Sequence, residues 1–136
     1  MKLQKNTRLA LYSVLELAAR PGQFVSAIEV AETYGESAHH LAKVMSDLAR
    51  AGLVDSVRGV GGGYRFVGNA RRLTLLDVIR LFENLDPESP AAAGSSTPVQ
   101  LALAGVLAEI DQISQATFGS VTIATMLKMV ARAARG

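Results

Sequence analysis

The chain contains no cysteine, and that absence removes disulfides, thiol nucleophiles and thiolate-held zinc or iron–sulfur clusters together. Histidine is nearly missing too. His39 and His40 are the only pair; as helix neighbours they point about 100° apart, with no third ligand in sequence reach, so no metal site is expected. Aromatic residues make up 5% of the 136 residues. No apolar run approaches the roughly 18 to 20 residues that a bilayer-crossing helix needs. The opening Met1-Lys2-Leu3-Gln4-Lys5-Asn6 is basic, but it lacks the compact apolar stretch and small-residue cleavage site of a secretory leader. The expected location is the cytoplasm, with no membrane partner. The acids are scattered over helix surfaces, and no nucleophile–base pair or paired carboxylates can be recognised, which argues against an enzyme.

What is present describes a folding chain. With 49% hydrophobic and 19% charged residues, it suits one globular domain, alone or with an oligomerisation arm. Charge is unevenly spread: residues 1–72 carry ten Lys or Arg against six Asp or Glu, while residues 73–136 carry four against six. A basic first half suits a nucleic-acid-facing module, although many solvated surfaces carry such a surplus.

Leu9, Leu11, Tyr12, Leu15, Leu17, Ala18 and Ala19 recur at helical spacing and stop at the breaker pair Pro21-Gly22, predicting a helix over about 7–20. Ser26 can cap a short helix through Ile28, Val30 and Ala31 that ends near Tyr34-Gly35. Ser37 can cap a third, with Leu41, Val44, Met45, Leu48 and Ala49 as its buried stripe and Ala51-Gly52 as its stop. Its outward face near the start is then Ala38, His39, Ala42, Lys43 and Ser46. Val54–Val57 and Tyr64–Val67 are rich in β-branched and aromatic residues, as the strands of a hairpin should be. Between them lies Arg58-Gly59-Val60-Gly61-Gly62-Gly63-Tyr64, which holds four of the chain's 12 glycines. A dinucleotide fingerprint needs glycine where Tyr64 stands, and a P-loop needs Lys followed by Ser or Thr, so both phosphate-loop readings fail on spacing. A plain hairpin turn and the wing of a DNA-reading motif remain. Helix, glycine turn, helix, hairpin is the order of a winged helix-turn-helix, whose third helix enters the major groove.

Beyond Arg71-Arg72, Thr74 can cap a helix over about 75–84 through Leu76, Val78, Ile79 and Phe82. Residues 86–97 are small, polar and proline-containing, as a flexible loop would be. Thr97-Pro98 is a cap followed by proline at the first helical position. In the next helix Val99, Leu103, Val106, Ile110 and Ile113 are spaced four, three, four and three apart, the seam of a coiled coil over two heptads. It packs on a second copy of the chain or on the chain itself. A last amphipathic helix, about 122–133, carries Ile123, Met126, Leu127 and Val130. The expected fold is mainly α with a small β-hairpin, a winged helix-turn-helix plus a long C-terminal dimerisation helix. Its parts are 1–84, a loop at 85–97, and dimerisation helices at 98–136.

Lys2-Leu3 and Thr7, Ala31–Gly35, Ser37–Val44, Leu48–Val54 and Ser56–Tyr64, in that order and spacing, resemble the Rrf2 family of bacterial winged-helix regulators over nearly the whole chain. His40-Leu41-x-Lys43-Val44 is nearest its nitric-oxide-sensing branch. The resemblance implies a homodimer on a partly palindromic double-stranded operator, usually a repressor. On that basis His39, Ala42 and Lys43 match base-facing positions, and Ser37 and His40 lie near the phosphate backbone. Arg58, Gly59, Val60 and Gly61 match the wing tip in the minor groove, and Lys2 is a further DNA contact. Sensory members hold an iron–sulfur cluster through three cysteines in the loop before the long helix; here that loop offers Ala91, Ala92, Ala93, Ser95, Ser96 and Thr97. Arg8 stands where the nitric-oxide-sensing branch has an aspartate ligand. No cofactor is therefore expected. Two accounts of the cysteine-free loop stand open, a natural member answering another signal or none and a variant with replaced cysteines, and Arg8 favours the first. The alternative function is a small-molecule-responsive regulator with an effector pocket between the DNA-binding domain and the long helix.

Overall fold

In a computed structural model, which describes residues 2–86 and 97–136, the helical spacing of the opening segment produces α1, Lys5–Ala18. It begins and ends two residues earlier than its apolar pattern predicts. Thr7, Leu9, Ala10, Ser13, Val14, Leu17 and Ala18 are buried along it, and the Ser13 hydroxyl donates to Leu9 O at 2.7 Å. The early start has a physical reason. The N-cap Gln4 makes no side-chain cap bond, and the need is met from far along the chain by Glu83, whose Oε2 accepts from Gln4 N–H at 3.2 Å and from the Thr7 hydroxyl. A carboxylate at a helix N-terminus is also favoured by the helix dipole.

The next two helices follow their caps. Ser26 accepts from Glu29 N–H at 3.1 Å to start α2, Ala27–Tyr34. Gly35 ends it in the left-handed region at φ +66°, which glycine adopts without strain. Ser37 accepts from His40 N–H at 3.0 Å to start α3, Ala38–Arg50, whose Leu41, Val44, Met45 and Leu48 are buried. They meet Leu9, Ala10, Val14 and Leu17 of α1 and Val30 and Ala31 of α2 in one core.

The hairpin follows directly. Strands β1, Val54–Val57, and β2, Gly63–Phe66, pair antiparallel with Val54 opposite Phe66 and Val57 opposite Gly63. The second strand starts one residue before its predicted position because Gly63 itself takes the partner place of Val57. Val25 adds a one-residue bridge to the outer side of β2, exchanging bonds with Tyr64 of 2.7 and 2.8 Å. A Cβ on Gly63 would stand 2.6 Å from Val25 O, so only glycine fits there.

The helix predicted over about 75–84 is corrected to α4, Leu75–Ile79. Thr74 and Asp77 form a reciprocal capping box at its start. After Ile79 the chain continues in tighter turns, with Leu81 N–H on Val78 O and Phe82 N–H on Ile79 O. This winding tucks Phe82 against the core and brings Glu83 to α1. Residues 87–96, most of the predicted loop, lie outside the described residues.

Thr97 and Gln100 form a second capping box for α5, Pro98–Ser120, and Thr122 caps α6, Ile123–Arg135. No residue of α5 is buried. The junction of α5 and α6 is stitched to the segment after the wing: Leu75 N–H bonds Val121 O at 2.9 Å, Ile123 N–H bonds Leu73 O at 2.8 Å, and Ala124 N–H bonds Ala70 O at 2.8 Å. Ile123 is fully buried in the common core and Leu127 packs against it. The result is a mainly α fold with one small antiparallel hairpin.

Candidate nucleic-acid interface

Because α3 commits Leu41, Val44, Met45 and Leu48 inward, its opposite face is left to solvent. Ser37, Ala38, His39, Lys43 and Ser46 are exposed there, and Ala42 is half-buried between them. A helix that offers small residues, an imidazole and an ammonium can approach base edges closely, with donors for guanine acceptors. His40 differs from its neighbours. It is half-buried, and its Nε2 is engaged with Asn6 Oδ1 of α1, so this side chain is a strut between α1 and α3.

The wing tip projects fully. Arg58, Gly59, Val60 and Gly61 are all exposed, and the Val60 side chain touches nothing that would cover it. Gly62 N–H closes the turn on Gly59 O at 3.1 Å. A Cβ on Gly62 would stand 2.2 Å from Val57 O, so the turn admits no side chain at that point.

Ion pairing sorts the cations into two groups. Lys5 pairs with Glu36 at 2.8 Å, Arg65 with Asp55 at 3.3 Å, and Arg50 with Asp47. Among the described residues Lys2, Lys43, Arg58, Arg71 and Arg72 are exposed and pair with no carboxylate, as are Arg8, Arg80, Lys128, Arg132 and Arg135. Arg65 braces the wing: its guanidinium lies over the Phe24 ring at 5.0 Å, and its Nε is buried without a partner among the described residues.

Several positioning residues escape sequence reasoning. Asn6, Glu36 and Glu83 hold the first turn of α1 between α3 and the end of α4, and their partners lie too far along the chain for any local pattern to reveal them. Tyr34 is another. Its ring stacks on Tyr12 with centroids 4.6 Å apart, and its hydroxyl donates to Glu16 Oε1 at 2.6 Å. Burial first, and the Glu16 carboxylate second, push the Tyr34 phenol well above its ordinary range. It stays neutral and fixes the end of α2, just before the turn into α3.

Two further features lie away from this face. Val99, Leu103, Val106, Ile110 and Ile113, the heptad seam, are between 48% and 76% exposed, so nothing among the described residues covers them fully. A cavity of about 390 Å³ is lined by Arg80, Glu83, Asn84, Leu85 and Asp86 after α4 and by Gln115 of α5.

No helix among the described residues is long and apolar enough to cross a membrane. Residues 3–129 match the Rrf2 family, described as iron-dependent transcriptional regulators. The HTH-type transcriptional regulator designated BadM of Rhodopseudomonas palustris is 50% identical over 130 residues, 96% of this chain and 83% of that protein. Among solved structures, IscR of T. potens superposes with a TM-score of 0.77 at 28% identity, covering 98% of this chain and 90% of that one. CymR, described as the global cysteine regulator of B. subtilis, gives 0.71 at 27% identity, covering 95% and 98%. These relatives are named as regulators rather than enzymes. The iron in the family's description finds no fitting donors here: the sequence has no thiolate, and no group of three His, Cys, Asp or Glu among the described residues is placed to hold a metal ion. The match over nearly the full length, the high identity to one relative and the shared winged-helix architecture agree: the chain belongs to the Rrf2 family of transcriptional regulators.

Proposed function

We propose that this regulator is a homodimeric, sequence-specific DNA-binding repressor. In this reading α3 lies in the major groove with His39, Ala42 and Lys43 toward base edges and Ser37 and His40 near the backbone, while Arg58, Gly59, Val60 and Gly61 enter the minor groove. The observation that carries it is the exposure of unpaired cations on both α3 and the wing tip. Lys43 on α3 and Arg58 on the wing are free, whereas the neighbouring Arg50 and Arg65 are held by carboxylates. A guanidinium on a glycine turn suits the negative potential of a narrow minor groove. Lys2, Arg71 and Arg72 are available to phosphates.

Dimerisation through α5 is supported by its uncovered apolar seam. The helix carries no charge from Pro98 to Ala108, and water is a poor partner for such a surface.

The reading is tested by titrating fluorescent genomic fragments with the purified protein at several salt concentrations. A subset of duplexes should bind tightly, with affinity falling as salt rises; equal binding to all fragments, or to none, would remove it. A second reading, that a small molecule shifts the operator-bound population, is favoured by the cavity between the end of α4 and α5.

A further inference from the structure

The cavity at the end of α4 plays no part in the DNA-facing surface. It is a depression open to solvent, and its volume of about 390 Å³ falls at the small end of the roughly 300 to 1,000 Å³ common for ligand sites. Its lining is unusually polar: two carboxylates, Glu83 and Asp86, one guanidinium, Arg80, two amides, Asn84 and Gln115, and the apolar Leu85. A purely anionic ligand would answer Arg80 and face both carboxylates, and a purely cationic one would do the reverse. An apolar ligand would strip water from all three charges without replacing it. A molecule carrying an ammonium and a carboxylate a few ångströms apart answers every group, with the planar guanidinium suited to the carboxylate.

We propose that this cavity is the effector site of the regulator, that it takes a small zwitterion of the α-amino-acid type, and that Glu83 reports its occupancy to α3. The second half rests on the DNA-binding reading above; the first does not. Glu83 Oε2 accepts from both Gln4 N–H and the Thr7 hydroxyl, leaving Oε1 without a partner among the described residues. The same turn of α1 grips the start of α3: Lys5 pairs with Glu36 at 2.8 Å in the turn before it, and Asn6 bonds the His40 ring. Residues 4–7 thus meet Glu83, one wall of the cavity, on one side and the recognition helix and the turn before it on the other. An ammonium that draws the Glu83 carboxylate into the cavity removes the acceptor from Gln4 and from Thr7, which is fully buried. A buried hydroxyl without a partner is costly, so the turn loosens and its hold on α3 weakens. Occupancy therefore lowers operator affinity, by about 5- to 150-fold if the coupling is of ordinary size.

The first measurement omits DNA. The full chain is titrated calorimetrically with each common L-α-amino acid and, for any that binds, with the amine lacking its carboxylate and the acid lacking its amine. At least one amino acid should bind, and both truncated analogues should bind about tenfold or more weakly, as should the amino acid to Arg80→Ala and Asp86→Asn. Absence of binding below about 10 mM, equal binding of a truncated analogue, or indifference to both variants would overturn the site. The second measurement titrates a selected duplex with and without that amino acid, using wild type and Glu83→Gln. Glutamine keeps an oxygen for Gln4 and Thr7 but loses the charge that an ammonium seeks. The amino acid should weaken duplex binding by wild type and leave the variant within about twofold; an unaltered wild type, or an equal effect on the variant, would overturn the relay. If no duplex binds at all, the DNA reading fails, and the calorimetry still decides the site.

Discussion

Arg58 and Arg65 are the same residue type seven positions apart, yet the structure gives them opposite surroundings. Arg65 is pinned by Phe24 and Asp55, while Arg58 stands free on a turn of glycines. Replacing Arg58 by Ala should weaken operator binding by about 1–3 kcal/mol and lower the slope of log affinity against log salt by about 1. Fluorescence anisotropy at three or more salt concentrations reads both. Lys43→Ala and His39→Ala should change the order of preference among operator variants, by a similar amount for a good base contact. Arg50→Ala, which removes a charge already paired, serves as the comparison and should alter affinity less. Local contacts at this scale were legible in the sequence. Ser26, Ser37, Thr74 and Thr97 each cap a residue three positions on, and a spacing of three is written in the chain. The bond from Thr7 to Glu83 spans 76 positions, and nothing in the neighbourhood of either residue announces it.

Whole elements were legible wherever one periodicity ran uninterrupted. The inward stripe of α3 is the clearest case, since Leu41, Val44, Met45 and Leu48 are spaced for one face and all four are buried. The helix after Thr74 was overestimated because Leu76, Val78, Ile79 and Phe82 are apolar regardless of whether the backbone between them winds in α or tighter turns. Hydrogen-bond geometry, invisible to hydropathy, ended α4 at Ile79. The bridge from Val25 to β2 was missed for a similar reason, as one residue has no period. That bridge makes a definite prediction at Gly63. Gly63→Ala brings a methyl against Val25 O and places alanine at φ +139°, so the protein should lose about 1–3 kcal/mol. A urea melt followed by circular dichroism measures the loss. Operator binding should suffer further, because the misplaced strand carries the wing.

For the molecule as a whole, α5 is the feature out of balance with a single chain. It is 23 residues long with nothing buried, and its seam is open. Its heptads were readable from sequence, but which surface would leave them uncovered was not, because that depends on where Ile123 anchors α6 in the core. Ile110→Asp should yield monomers in sedimentation velocity and should weaken operator binding as well, since two half-sites held by one dimer act together. Persistence of the dimer would move the interface to another surface.

The stitching between the α5–α6 junction and residues 70–75 has a consequence for the DNA. Those bonds are main chain to main chain and need no particular side chain, and they tie the base of each wing to the helix on which the proposed dimer closes. Such a dimer works as a ruler with its two marks fixed. Each base pair inserted between half-sites turns one of them by about 34° around the duplex, and a ruler cannot follow the turn. One inserted pair should therefore reduce affinity sharply, while insertion of a full helical turn should leave each half-site on the correct face but out of reach.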